Sequence, residues 1–170
     1  GDAMNDDERG LVENKYKDMA IALISSLRRQ AAFQDAIEQI RCYVHHPQRK
    51  QLEDDIMDKL YTAVMNCTKN VFRGKLCGVC GHNKFCVDAE GIAANAATDG
   101  LIKAVQDFQG KRRDDIEEEQ AFLSYLAQSV AGRLVKECKR ECRSAIKREL
   151  VRKAVDKDDQ LSFEEYIDII

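Results

Sequence analysis

Tyr16, Met19, Ala20, Leu23, Ile24 and Leu27 recur at three- and four-residue steps, which draws one apolar stripe along an amphipathic helix from about Glu13 to Arg29. Phe33, Ile37, Ile40 and Val44 continue in the same period. His45-His46-Pro47 interrupts it, because Pro cannot extend a helix and pushes His46 toward an extended conformation. The two histidines therefore read as turn residues. A third, long helix is predicted from about Arg49 to Phe72, with Leu52, Ile56, Leu60, Val64, Cys67 and Val71 inward. Gly74, Gly78 and Gly81 end it and open an irregular, cysteine-bearing segment. Helical pattern resumes near Asp88 and runs to Phe108, with Ile92, Ala96, Leu101, Val105 and Phe108 as its buried set. After the charged connection Gln109 to Arg113, a last long helix starts in the acidic stretch Asp114 to Glu119. It runs through a basic block to about Val155, an order of charges that suits the helix dipole.

The result is an all-α domain of five or six helices with one cysteine-rich excursion. Composition agrees: nine Gly and one Pro in 170 residues leave few turns for a β-barrel, and 44% apolar content argues against long disorder. The domain is expected over residues 13–153, with the excursion at 74–88. Residues 1–12 are expected to be a tag remnant (Gly1 to Ala3) and a flexible start, and 154–170 an acidic-hydrophobic terminal segment. No apolar run approaches the ~20 residues of a membrane span, and the start lacks the features of a secretory signal. A soluble protein of the cytoplasm is expected.

Charge sharpens the picture. The net charge of −3 conceals two blocks: Arg133 to Lys153 holds nine Lys/Arg against three Glu, and Ala154 to Ile170 holds six acids against one Lys. A rigid helix so rich in cations releases counterions from several phosphates, giving salt-dependent affinity for nucleic acid. Arg133, Lys136, Lys139, Arg140 and Arg143 follow helical steps and project toward one side. Phe122 and Tyr125 lie one turn apart ahead of this stripe. Either they face an unstacked base, where a stacked ring is worth ~1–3 kcal/mol, or they belong to the core.

Seven cysteines, an odd number, disfavour a disulfide scaffold and point to thiols or metal ligands. Cys77 and Cys80 are spaced C-x2-C, Cys86 follows, and His82 lies between them in a Gly-rich loop. Three thiolates and an imidazole satisfy tetrahedral zinc, with Cys67 as a substitute ligand for His82. Such a site is structural, since four protein ligands leave no position for water. Cys138 and Cys142, at i,i+4, read as small buried side chains. No phosphate-binding Gly-Lys loop, nucleophile elbow or H-E-x-x-H is present, so an enzyme is not expected. The tail fails as a calcium loop because Asp159 stands where the turn requires Gly.

Three segments in order resemble region 2 of bacterial sigma factors. Asp99-Gly100-Leu101-Ile102-Lys103-Ala104-Val105-Gln106-Asp107-Phe108 is similar to the family's polymerase-docking helix. Phe122-Leu123-Ser124-Tyr125 stands where the family begins its promoter-melting helix, and Leu52 to Phe72 resembles the long helix upstream. The similarity covers roughly 31–153. It is closest to the small late sigma factors of T-even-like bacteriophages, in which Tyr and Gln precede a dense basic stretch, as Tyr125-Leu126-Ala127-Gln128 does here. Cellular members carry a tryptophan pair at the positions of Gln128 and Ser129; this chain has no Trp.

The resemblance implies docking on core RNA polymerase through Asn95, Thr98, Asp99, Ile102 and Lys103. It further implies engagement of promoter DNA through Phe122, Tyr125, Gln128, Arg133, Lys136, Lys139, Arg140 and Arg143. The terminal segment loosely resembles the end by which late phage sigma factors engage a sliding clamp or coactivator, with Leu161, Phe163, Tyr166 and Ile169 as anchors. The rival expectation is a zinc-stabilised helical adaptor that binds proteins and uses its basic helix for solubility. A thiol-dependent enzyme would instead require an accessible, acidic Cys77 or Cys80.

Overall fold

The computed structural model describes the backbone of residues 6–74 and 89–157, and the side chains of 16–73, 89–138, 140 and 141. Within them the chain is all-helical: α1 (Asp6–Arg28), α2 (Ala31–Cys42), a 3-10 turn (Tyr43–His45), α3 (Arg49–Gly74), α4 (Ala89–Asp107) and α5 (Glu118–Lys157). The expected helices are present with ends shifted by a few residues, except that α1 starts at Asp6, seven residues ahead of the expected Glu13. Gln30, extended at φ −77° and ψ 133°, separates α1 from α2 without Pro or Gly.

The His46-Pro47 break works as a start signal. His46 Nδ1 accepts the Gln48 N–H at 3.0 Å, and the His46 carbonyl accepts the Arg49 N–H at 3.1 Å, so α3 begins with its first donors satisfied. At the head of α5, Gln120 Oε1 accepts the Glu117 N–H at 3.4 Å while the Glu117 carbonyl accepts from Gln120 and Ala121. This is the return half of a capping box. The helix therefore opens at Glu118, and Asp114 to Ile116 form a turn ahead of it.

α4 packs between α3 and α5, and α1 lies across α5 and α3. The core takes Met19, Leu23 and Leu27 from α1, Phe33 and Ile40 from α2, and Ile56, Leu60 and Val64 from α3. Ile92, Ala96, Leu101 and Val105 join from α4, and Phe122, Leu126, Val130 and Leu134 from α5. Each large side chain buried there contributes ~1.5–3 kcal/mol.

Gly100 sets the closeness of the α4–α5 crossing: a Cβ there would sit 2.6 Å from Val130 Cγ2 and 2.8 Å from Val130 Cα. Gly100 thus has a packing cause, since only hydrogen fits between the two backbones.

One arginine secures the end of α4. Arg49 donates to the carbonyls of Val44 (3.3 Å), Gln106 (2.9 Å) and Phe108 (3.0 Å), pairs with Glu53 at 2.8 Å and lies over the Tyr43 ring. The Tyr43 hydroxyl donates to Val105 at 3.1 Å, and burial pushes its pKa up. Carbonyls left unpaired at a helix C-terminus are thus satisfied from α3 and the 3-10 turn.

Candidate functional site

The connection from Phe108 to Glu117 is closed on itself. Gly110 turns at φ +97°, a conformation that favours glycine, and Glu118 Oε1 accepts the Lys111 N–H at 3.0 Å. Lys111 Nζ donates to the Ile116 carbonyl at 3.2 Å, and Arg113 pairs with Asp115. Between this loop and the first turns of α5 lies an open groove of about 600 Å³. Phe108, Ala121 and Tyr125 line it together with Arg112, Arg113 and Gln128.

Tyr125 is half-buried, its ring 5.9 Å from that of Phe108, so it is supported from behind while one side meets the groove. Gln128 is exposed and donates to Ser124 Oγ at 2.9 Å. Its carbonyl accepts the Tyr16 hydroxyl at 3.2 Å, which fixes α1 against this stretch of α5. Arg112 is exposed, with no ion-pair partner among the described residues.

Phe122 is a correction to its expected place on the DNA-facing side. It is fully buried, edge-on to Tyr43 at 6.2 Å and to Phe108 at 5.5 Å. The signal was present in the sequence: Phe122, Leu126 and Val130 form one four-residue row with Leu134, all of it core.

Farther along α5, Lys136 is exposed and has no ion-pair partner among the described residues, whereas Arg133 and Arg140 are paired. Arg133 reaches Asp99 on α4 at 3.0 Å and lies 3.5 Å from Glu137; Arg140 also pairs with Glu137. Glu137 is only 7% exposed, so one sunken carboxylate holds two guanidinium groups. Lys139 and Arg143 stand on the helix, but their side chains lie outside the described residues.

On α4, Asn95, Asp99, Ile102, Lys103 and Gln106 form one exposed stripe, with Thr98 half-buried beside it. Ile102, 40% exposed, is an apolar side chain among these polar groups. The five positions expected to dock a protein therefore share one face, and Asp99 joins that face to α5.

Arg41 and Glu119 form a different kind of tie, missed in the sequence because it spans 78 residues. Arg41 donates from Nε at 2.9 Å and from Nη2 at 2.7 Å, joining α2 to the head of α5. The hydrogen bond from Arg41 holds the Glu119 carboxyl below its ordinary value, against an opposing push from burial.

The expected zinc ligands Cys77, Cys80, His82 and Cys86 lie outside the described residues. So do Leu161, Phe163, Tyr166 and Ile169. Cys67 is buried and its Sγ accepts the Ser26 hydroxyl at 3.1 Å. Among the described residues no group of three or more His, Cys, Asp or Glu is placed to hold a metal ion. No described helix is long and apolar enough to cross a membrane.

The fold and the groove define an all-helical protein with a cation-edged cleft beside an exposed, partly apolar helix face. No protein family, curated protein or solved structure matches the chain.

Proposed function

We propose that the protein is a sigma-like, phage-type transcription initiation factor. It docks on core RNA polymerase through the α4 stripe and engages promoter DNA through the groove and the exposed cations of α5. The observation that carries this reading is one of arrangement. Tyr125, Gln128 and Arg112 meet at one groove, and the row that includes Gln128 continues at four-residue steps to Lys136 and Arg140. An aromatic face with cations along the same side is the combination that holds a stacked base and its backbone. Phe122 plays no part in that contact; it stiffens the wall behind Tyr125. With a single helix offering base contacts, phosphate contacts position the factor and an accessory partner supplies strength. Zinc on the cysteine-rich segment belongs to the same proposal, supported by the C-x2-C spacing. Metal analysis should find one equivalent, lost when Cys77 and Cys80 are replaced by Ser.

The test is binding to core RNA polymerase, followed by assembly on fork-junction promoter DNA. Lys136→Glu should weaken the promoter complex about tenfold while leaving polymerase affinity intact, since a reversed charge repels where it attracted. Ile102→Asp should do the reverse. Unchanged DNA protection by Lys136→Glu refutes the DNA-facing assignment. If the wild-type protein binds no polymerase, the adaptor reading replaces the sigma-like one.

A further inference from the structure

Asp99 belongs to two surfaces at once. Its position on α4 puts it in the exposed stripe with Asn95, Ile102 and Lys103, and its carboxylate reaches across to Arg133 of α5 at 3.0 Å. Arg133 is 39% exposed, near enough to solvent to reach a phosphate, yet Asp99 occupies it on one side and Glu137 stands 3.5 Å away on the other. Glu137 is shared with Arg140, so without Asp99 two guanidinium groups would face a single sunken carboxylate.

We propose that the Asp99–Arg133 pair is an interlock between the protein-docking face and the nucleic-acid face. It rests on the sigma-like reading above. In the free protein Asp99 neutralises Arg133 and lowers affinity for phosphate. A cationic side chain of the docking partner takes Asp99, and Arg133 becomes available to the nucleic-acid backbone. Because both pair members are about half exposed, the pair is weak enough to be exchanged rather than broken at high cost. Coupling is reciprocal, so bound nucleic acid strengthens docking by the same factor that docking strengthens nucleic-acid binding.

The prediction is read on the free protein with a short DNA duplex and the matching fork junction, titrated at several salt concentrations. Asp99→Asn should tighten binding about two- to fivefold at low salt, the range an exposed ion pair allows. It should also steepen the salt dependence by somewhat under one unit of log–log slope, the signature of one added phosphate contact. Asp99→Asn combined with Arg133→Gln should lose both gains. Asp58→Asn removes the same charge from the exposed face of α3 and should leave affinity within twofold of wild type.

Circular dichroism confirms that each variant is folded. Equal tightening by Asp58→Asn would reduce the effect to net charge and overturn the interlock. Wild-type binding that Asp99→Asn leaves unchanged would overturn the interlock alone. No binding by the wild type, even at low salt, would remove the nucleic-acid reading and the interlock together.

Discussion

Arg41 grips Glu119 with two nitrogens, and the Glu119 side chain is 11% exposed; Arg133 touches Asp99 with one nitrogen, and both groups stand in the solvent. Both pairs join α5 to a neighbouring helix. The first lies at the head of α5, beside the cluster of Tyr43, Phe108 and Phe122, where a two-pronged geometry holds a carboxylate that water reaches poorly. The second lies at the margin of the core, where water and salt compete for each charge. Similar chemistry thus serves as a fastening at one place and as an exchangeable contact at the other. Burial decides which.

The largest effect should come from removing the packing that supports the fastened end. Phe122→Ala should cost ~3–5 kcal/mol in chemical denaturation, because it empties a site enclosed by two other rings. If Phe122 lay on a nucleic-acid surface, the same change would leave stability nearly untouched. Gly100→Ala comes next. A methyl group driven against the Val130 backbone should cost ~1–3 kcal/mol, and should separate Asp99 from Arg133 by shifting α4. A neutral result would mean that the two helices do not cross so closely.

Glu119→Gln should lower the thermal midpoint at pH 7 by a few degrees, and by much less in acid. The sign follows from linkage: a carboxyl depressed in the folded state adds stability above its ordinary value of 4.5, and that contribution is lost as pH falls through the depressed value. The difference between wild type and Glu119→Gln should therefore shrink below pH 4.5 in parallel melts. Smallest of all, Asp99→Asn should change stability by no more than ~0.5 kcal/mol. A drop as large as that of Glu119→Gln would make the two pairs equivalent.

Much of the helical plan was readable from spacing. Ile92, Ala96, Leu101, Val105 and Phe108 are all buried, because a helix in contact with two neighbours repeats its apolar positions regularly. The end of the first helix was readable to within a residue, near Arg29 against the observed Arg28, although the apolar period runs on through Phe33; its start at Asp6, seven residues ahead of the expected Glu13, was not. At the site, Lys136 stands exposed where charge pattern placed it, and the α4 positions that the resemblance singled out share one face. Phe122 was misjudged because aromatic residues three apart look alike in sequence, while only the row continuing to Leu134 reveals which one is core. The Arg49–Glu53 pair has a local i,i+4 signature, but the ties from Arg49 to the end of α4 and from Arg41 to α5 left none. Their acceptors, Gln106, Phe108 and Glu119, lie more than 50 residues away, and such contacts exist only once the helices have met.

The half-supported ring of Tyr125 makes the groove visible to light. With no tryptophan in the chain, near-ultraviolet emission comes from its five tyrosines, and among the described ones Tyr125 lines the groove. Tyr43 is shut away in the core, so it supplies a steady background. A flat aromatic molecule entering beside Tyr125 should dim the intrinsic signal without any attached dye, and a Tyr125→Leu chain should stay bright under the same titration.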